Sequence, residues 1–338
     1  MNFADITDIA IPAGDVIKIQ AQDGTVLWEK SANGKMPLNA GYVAVAYSNE
    51  LRLFCAICGV KVGYTAAHLL TSQDGVNWTR KNDVGYIGTQ MLYIANLGGF
   101  VFPHTVPSGT GGLLTASAFS VSSNGTQINS TTGFSDAAAP FTAWGECYDS
   151  NNGVLYIISG NGITWGDVRH FGVSLSDRAS GCISYSPELK TVTSLVSNTA
   201  GVSKCSVAAN LNKYAVTSDW QSLSGPTGLW RSMCWSSKLR KFCAVGDGTN
   251  HVALSSDGKT WNAYTAPYEN LTSVCWGEEA GLFCAVSRTN NVAFTSKDGI
   301  NWTEHNTPAG AWNSVCWSSR LKMFCAVGNT DNVFNLKV

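Results

Sequence analysis

One fifteen-residue string occurs three times near the C-terminus. Residues 232–246 read SMCWSSKLRKFCAVG, residues 273–287 SVCWGEEAGLFCAVS, and residues 314–328 SVCWSSRLKMFCAVG. Trp235, Trp276 and Trp317 therefore stand 41 residues apart. A chain with such a period builds one supersecondary unit repeatedly, and each unit buries its apolar faces against its neighbours. Fainter copies lie upstream. Tyr47, Tyr93, Tyr148 and Tyr185 take the Trp position, and Phe54, Phe100, Leu155 and Val192 follow seven residues later. Seven anchors thus run from 47 to 317.

A second element accompanies the anchors. SQDGVNW (72–78), SSDGKTW (255–261) and SKDGINW (296–302) share the pattern Ser-x-Asp-Gly-x-x-Trp, and each Trp precedes the next anchor by fifteen residues. Asp-Gly between apolar runs is a hairpin signal, because glycine accepts positive φ and aspartate bonds its own backbone. Asp74, Asp257 and Asp298 are therefore expected to cap tight turns. Each unit then reads as four short strands: SVCW, MFCAVG, NVAFTS and INWTEH in the last copies. Four strands at a period of 40–45 residues are the signature of a propeller blade. The expected fold is all-β: a seven-bladed β-propeller of four-stranded antiparallel blades over residues 36–338, preceded by an N-terminal β-hairpin segment over residues 1–35.

The last blade lacks a Ser-x-Asp-Gly-x-x-Trp strand, because the sequence stops at Val338. A related run, QDGTVLWEK, stands near the other end, with Asp23, Gly24 and Trp28. One reading lets this run supply the missing outer strand and so cover a sheet edge. The other makes residues 1–30 a self-contained hairpin that attaches the chain to something else. Ile11, Pro12, Gly14, Val16, Ile19, Gly24, Val26, Leu27 and Trp28 resemble an N-terminal run of tailed-bacteriophage tail and fibre proteins. In such proteins the segment would be an attachment or assembly element, which favours the second reading.

Ser-x-Asp-Gly-x-x-Trp also resembles a shortened Asp-box of sialidase-type propellers, without the residue that separates Asp from Gly. In that family the boxes are turn-forming elements remote from the active site, so the resemblance implies a fold and no chemistry. A sialidase-like hydrolase would need clustered arginines, and Arg52, Arg80, Arg169, Arg178, Arg231, Arg240, Arg288 and Arg320 are scattered along the chain. No pair of carboxylates is singled out for glycoside hydrolysis. The chain is read as a non-enzyme.

The eleven cysteines are an odd number, so they cannot all pair within one chain. In the repeat, Cys234/Cys243, Cys275/Cys284 and Cys316/Cys325 face each other across the first hairpin. Copies upstream carry Ala46/Cys55, Leu92/Val101, Cys147/Tyr156 and Ser184/Thr193 there. A metal site or required disulfide would not tolerate those replacements, so the thiols are expected to be free and buried. Cys55 and Cys58 form a Cys-x-x-Cys inside a strand, where alternation sends them to opposite faces. None of His68, His104, His170, His251 and His305 has zinc-ligand spacing. No metal and no cofactor is implied.

A net charge of −1 with 13% charged residues gives no electrostatic reason to seek nucleic acid or an anionic membrane. No apolar run is long enough to insert in a membrane, and the N-terminus has acidic residues where a secretion signal carries basic ones. The expected place of the protein is a virion, assembled from chain made in the host cytoplasm. Its expected partners are other virion proteins, through the N-terminal segment, and a host cell-surface glycan or protein. A purely structural virion cap and a sialidase-like glycan hydrolase are the alternatives.

In four-stranded blades the loop between strands two and three lies with the blade-to-blade connections, on the face where propellers usually bind ligands. These loops read GDGTNH (246–251), SRTNN (287–291) and GNTDN (328–332), lengthening upstream at 102–112, 160–172 and 197–204. Asn250, His251, Arg288, Asn290, Asn291, Asp331 and Asn332 are the candidate ligand-binding residues.

Overall fold

The computed structural model describes residues 41–58, 67–84, 90–95, 98–108, 111–121, 128–136, 143–159, 162–165, 169–171, 175–176, 178–209, 219–265, 270–289, 291–330 and 332–338. The expected hairpin over 1–35 lies outside them. Among the described residues the regular structure is almost entirely β, arranged as seven antiparallel sheets.

Sheet 1 holds β1 (Tyr42–Ser48), β2 (Leu53–Cys58), β3 (Ala67–Ser72) and β4 (Thr79–Val84). Sheet 2 holds β5 (Leu92–Ile94), β6 (Gly99–Ser108), β7 (Gly111–Val121) and β8 (Ile128–Asp136). Sheet 3 holds β9 (Ala143–Asp149), β10 (Val154–Ser159), β11 (Gly162–Trp165) and β12 (Arg169–Phe171). Sheet 4 holds β13 (Arg178–Ser186), β14 (Thr191–Asn198), β15 (Ser203–Ala209) and β16 (Gln221–Ser224). Sheet 5 holds β17 (Leu229–Ser236), β18 (Lys241–Asp247), β19 (Val252–Ser255) and β20 (Asn262–Tyr264). Sheet 6 holds β21 (Leu271–Gly277), β22 (Leu282–Ser287), β23 (Val292–Ser296) and β24 (Thr303–Asn306). Sheet 7 holds three described strands, β25 (Trp312–Ser318), β26 (Met323–Gly328) and β27 (Val333–Lys337). Each sheet is a meander in chain order. All three upstream stretches read as loops from sequence are partly strand: β6 and β7 pair as far as Ser108 and Gly111, β11 and β12 occupy most of 162–171, and β14 and β15 enter 197–204 from both ends. Pairing with the preceding strand organises those polar segments, which local composition does not reveal.

The first hairpin has the same register everywhere. Trp317 faces Phe324 and Cys316 faces Cys325. Trp235 faces Phe242, Trp276 faces Phe283, and Tyr47 faces Phe54. These rings sit 4.6–4.7 Å apart, a contact worth up to about 1 kcal/mol per pair beyond burial. The turn closes on one residue in the left-handed region at the same place in all seven sheets. Four sheets use Arg52, Lys190, Arg240 and Lys322, and three use Gly98, Gly153 and Gly281. A serine before the turn accepts a backbone N–H in four sheets, through Ser48, Ser186, Ser236 and Ser318.

The core is distributed. Seven apolar clusters occur among the described residues, and each lies between two sheets. Alternation along a strand explains this, because odd and even side chains face different neighbours. Phe283 packs towards sheet 5 while Cys284 packs towards sheet 7. One cluster joins Met323, Cys325 and Val327 of sheet 7 to Tyr42, Phe54 and Trp78 of sheet 1.

Candidate functional site

The inner edge of each sheet is its first strand. Strands β1, β5, β17, β21 and β25 line a common cavity of about 480 Å³. Its wall mixes Val45, Met91, Met233, Val274 and Val315 with polar groups such as Gln90, Thr272 and Asn313. In sheets 1, 3, 5, 6 and 7 the first strand carries a β-bulge four residues before the anchor. A bulge adds a residue and re-aims its side chain. In sheets 5, 6 and 7 the extra residues are Arg231, Thr272 and Asn313, of which Thr272 and Asn313 line the cavity.

The candidate asparagines on these loops are engaged in structure. Asn250 Nδ2 donates to Thr227 O at 3.0 Å, and Asn332 Nδ2 donates to Ala309 O at 2.7 Å. Asn291 Oδ1 accepts the Gly310 N–H at 3.0 Å, and Asn291 itself has φ +51°. Asn250, Asn291 and Asn332 occupy one repeat position, and each ties a 2–3 loop to a connection between sheets. The 2–3 loops and the sheet-to-sheet connections therefore lie together. His251 is buried, with its backbone paired to Tyr264 and Gly246. Asn290 and Asp331 lie outside the described residues.

Arg288 is exposed, and its Nη2 donates to Asn313 Oδ1 at 3.2 Å. Asn313 in turn donates to Tyr42 O at 2.7 Å and to Asn329 Oδ1 at 2.6 Å. Partial desolvation, then the Arg231 charge, push the Arg288 guanidinium below its ordinary value. The Arg231 charge thus acts on Arg288 although 57 positions separate them.

At the opposite end, ring N–H and phenol groups bond carboxylates of the first-hairpin turns. Trp235 Nε1 donates to Glu188 at 2.6 Å, Trp317 Nε1 to Glu279 at 2.7 Å, and Tyr93 OH to Glu50 at 2.8 Å. In each case the acid belongs to the preceding sheet. These acids were legible in the turn strings NELR, PELK and GEEAG, but their partners were not.

The three Asp-Gly turns share one geometry. Asp298 Oδ1 accepts the N–H groups of Ile300 and Asn301 at 2.7 and 2.8 Å, and Ser296 Oγ accepts the Gly299 N–H at 2.8 Å. Asp74 and Asp257 repeat this with Val76/Asn77 and Lys259/Thr260. Burial raises the Asp298 carboxyl, but its bonds from Asn301, Ile300 and Ser296 outweigh this and leave it at about 2. Trp78, Trp261 and Trp302 pack into the cluster shared with the preceding sheet. The geometry of these turns is mechanical, and none of their residues lines the cavity.

All eleven cysteines are free thiols, and burial raises those of the repeat well beyond the ordinary thiol range. Cys55 and Cys58 point into different clusters on opposite faces of sheet 1. His305 is buried, bonded through Nε2 to Thr295 Oγ1 at 2.8 Å, and burial lowers its pKa. Among the described residues no group of three or more His, Cys, Asp or Glu side chains could hold a metal. No helix among them is long and apolar enough to cross a membrane.

No protein-family model matches the sequence, and no curated protein does. Among solved structures the chain is similar to a streptogramin B lyase, with a TM-score of 0.65 at 10% identity. The superposition covers 90% of this chain and 95% of that one. At that identity the likeness is one of fold alone, and together with the seven meander sheets it identifies the chain as a β-propeller-type protein.

Proposed function

We propose that the chain closes into a seven-bladed β-propeller and acts as a non-catalytic recognition module of a bacteriophage virion. The face with the 2–3 loops would meet a host-surface glycan or protein. The observation that carries closure is a hydrogen bond repeated across sheet boundaries. Ser232 Oγ of sheet 5 accepts the Val274 N–H of sheet 6 at 3.1 Å, and Ser273 Oγ of sheet 6 accepts the Val315 N–H of sheet 7 at 3.2 Å. Ser314 Oγ of sheet 7 accepts the Val45 N–H of sheet 1, also at 3.2 Å. The 7–1 boundary is thus built like the 5–6 and 6–7 boundaries, and an apolar cluster fills it. Ser314→Ala is expected to cost about 1–2 kcal/mol by leaving a buried N–H unpaired, as much as Ser232→Ala and Ser273→Ala. Urea unfolding of the three variants checks this. A silent Ser314→Ala beside two costly neighbours would mean that sheets 7 and 1 do not join.

The virion role is supported by the run from Ile11 to Trp28, which lies outside the described residues, and by the charge balance. Recognition is supported by the polar groups Gln90, Thr272 and Asn313 in the cavity wall. The lyase activity in the neighbour's name is not extended to this chain, because 10% identity carries no active-site residue across. Two measurements test the role together: the copy number of the chain in purified particles, and binding of the isolated chain to whole host cells and a glycan array. Expected are a fixed copy number and cell binding. Absence from particles, or no binding to any cell or glycan, sinks the proposal.

A further inference from the structure

Four aromatic residues of sheets 6, 7, 1 and 2 stand in the wall of the common cavity. Trp276, Trp317, Tyr47 and Tyr93 all line it, and all are half-buried. They hold one repeat position, so they form an arc at one level, towards the first-hairpin turns and away from the 2–3 loops. Each packs into the apolar cluster between its own sheet and the preceding one. Among the described residues the wall carries one charged side chain, Glu278, and no lysine or arginine. Glu278 accepts the Trp276 Nε1–H at 2.5 Å and the Ser237 hydroxyl, and makes no ion pair among the described residues. Trp317 and Tyr93 likewise donate to the carboxylates of Glu279 and Glu50. Donation to an anion polarises the ring and leaves more negative charge on its face, the feature that attracts a cation. Tyr47 Oη is buried and has no hydrogen-bond partner among the described residues. The wall serines Ser232, Ser273 and Ser314 already accept backbone N–H groups of neighbouring sheets. A sugar with many hydroxyls would therefore meet few free partners, whereas a cation with an apolar shell meets rings and one carboxylate. The volume of about 480 Å³ lies within the range of small-molecule sites, roughly 300–1,000 Å³.

We propose that this end of the cavity binds an organic cation, a quaternary ammonium group held among Trp276, Trp317, Tyr47 and Tyr93, with Glu278 as its countercharge. Tyr47 Oη is free to bond a hydroxyl carried beside that group. The site goes beyond the recognition reading above, which concerns the face with the 2–3 loops, and it stands or falls apart from it.

Calorimetric titration of the full chain uses three probes: choline, the neutral alcohol with carbon in place of its nitrogen, and glucose. Choline should bind. The neutral alcohol has the same shape without the charge and should bind about tenfold more weakly or worse. Glucose should not bind. Glu278 is exposed at the rim, so Glu278→Gln should keep the melting temperature and weaken choline about threefold or more. Trp276→Phe should retain most of the choline affinity that Trp276→Leu loses, because the ring and not the bulk holds the cation. Lys259→Gln, an exposed lysine in the Asp-Gly turn of sheet 5, should leave binding unchanged. Choline against the neutral alcohol on the parent chain decides the charge dependence, whatever Trp276→Leu does to folding. Four results overturn the site: choline does not bind, the neutral alcohol binds as well, Glu278→Gln binds choline as the parent does, or glucose binds in place of choline. Choline binding to a chain that binds no cell or glycan overturns the recognition role and leaves this site standing.

Discussion

Gly75→Ala is expected to lower stability by about 3 kcal/mol, from a backbone term of about 1 kcal/mol and an overpacking term of about 2. Gly75 has φ +76°, in the left-handed region, and sits in the Asp-Gly turn of sheet 1. A Cβ there would stand 2.7 Å from Met323 Cε, 3.1 Å from Asn335 Oδ1 and 3.3 Å from Phe54 Cε2. Met323 and Asn335 belong to sheet 7, and Asn335 Nδ2 donates to Gly75 O at 3.0 Å. The variant therefore strikes the boundary between the first and last sheets. Gly98→Ala supplies the control. Gly98 has φ +61° and nothing within 4 Å of an added Cβ, so it reads the backbone term alone, about 1 kcal/mol. Equilibrium unfolding in urea measures both. Equal losses at the two positions would mean that the sheet 7–sheet 1 contact contributes little.

Glu146→Met is expected to stabilise the protein by about 2 kcal/mol at pH 8, removing the desolvation of a buried carboxyl. Glu146 lies on β9, 8% exposed, opposite Ile157. Neither carboxyl oxygen has a hydrogen-bond partner. It shares a face with Leu155 and Ile157, which pack against Ile94 and Val101 of sheet 2. Two residues before each of the other six anchors stand Val45, Met91, Ile183, Met233, Val274 and Val315, all buried. Methionine already fills this position twice, so the replacement matches the repeat. Burial pushes the Glu146 carboxyl well above the usual carboxylate range. The folded state therefore holds its proton more tightly than the unfolded chain, whose carboxyl titrates near about 4.3. Its contribution is least unfavourable below that pH, worsens as pH rises towards the folded pKa, and is constant above it. The gain from Glu146→Met should accordingly be larger at pH 8 than at pH 4. A pH-independent ΔΔG, or a loss of stability, would show that the carboxyl has a compensating role.

Much of this architecture was legible because repetition averages out local ambiguity. One copy of SVCWSSRLKMFCAVG suggests a redox pair or half a metal site. Seven copies, with alanine, leucine, valine, serine and threonine at the cysteine positions, leave burial as the common requirement. The register of the first hairpin followed from that comparison, and every predicted facing pair is found. The Asp-Gly turns were equally local, since their bonds span two or three residues. The candidate site was much less legible. Its asparagines looked free because their partners, Thr227 and Ala309, are 23 positions away on another connection.

The sequence by itself determined the repeat unit, its strand number, its turn chemistry and the alternation that sends cysteines one way and aromatics the other. These properties depend on neighbours in the chain and on a period that recurs. Tertiary structure alone decided which side chains of different units meet. It seated Ser314 against the backbone of Val45 and left Glu146 without a partner between two apolar faces. Such meetings depend on how one sheet stacks on the next, a distance that no spacing along the chain encodes.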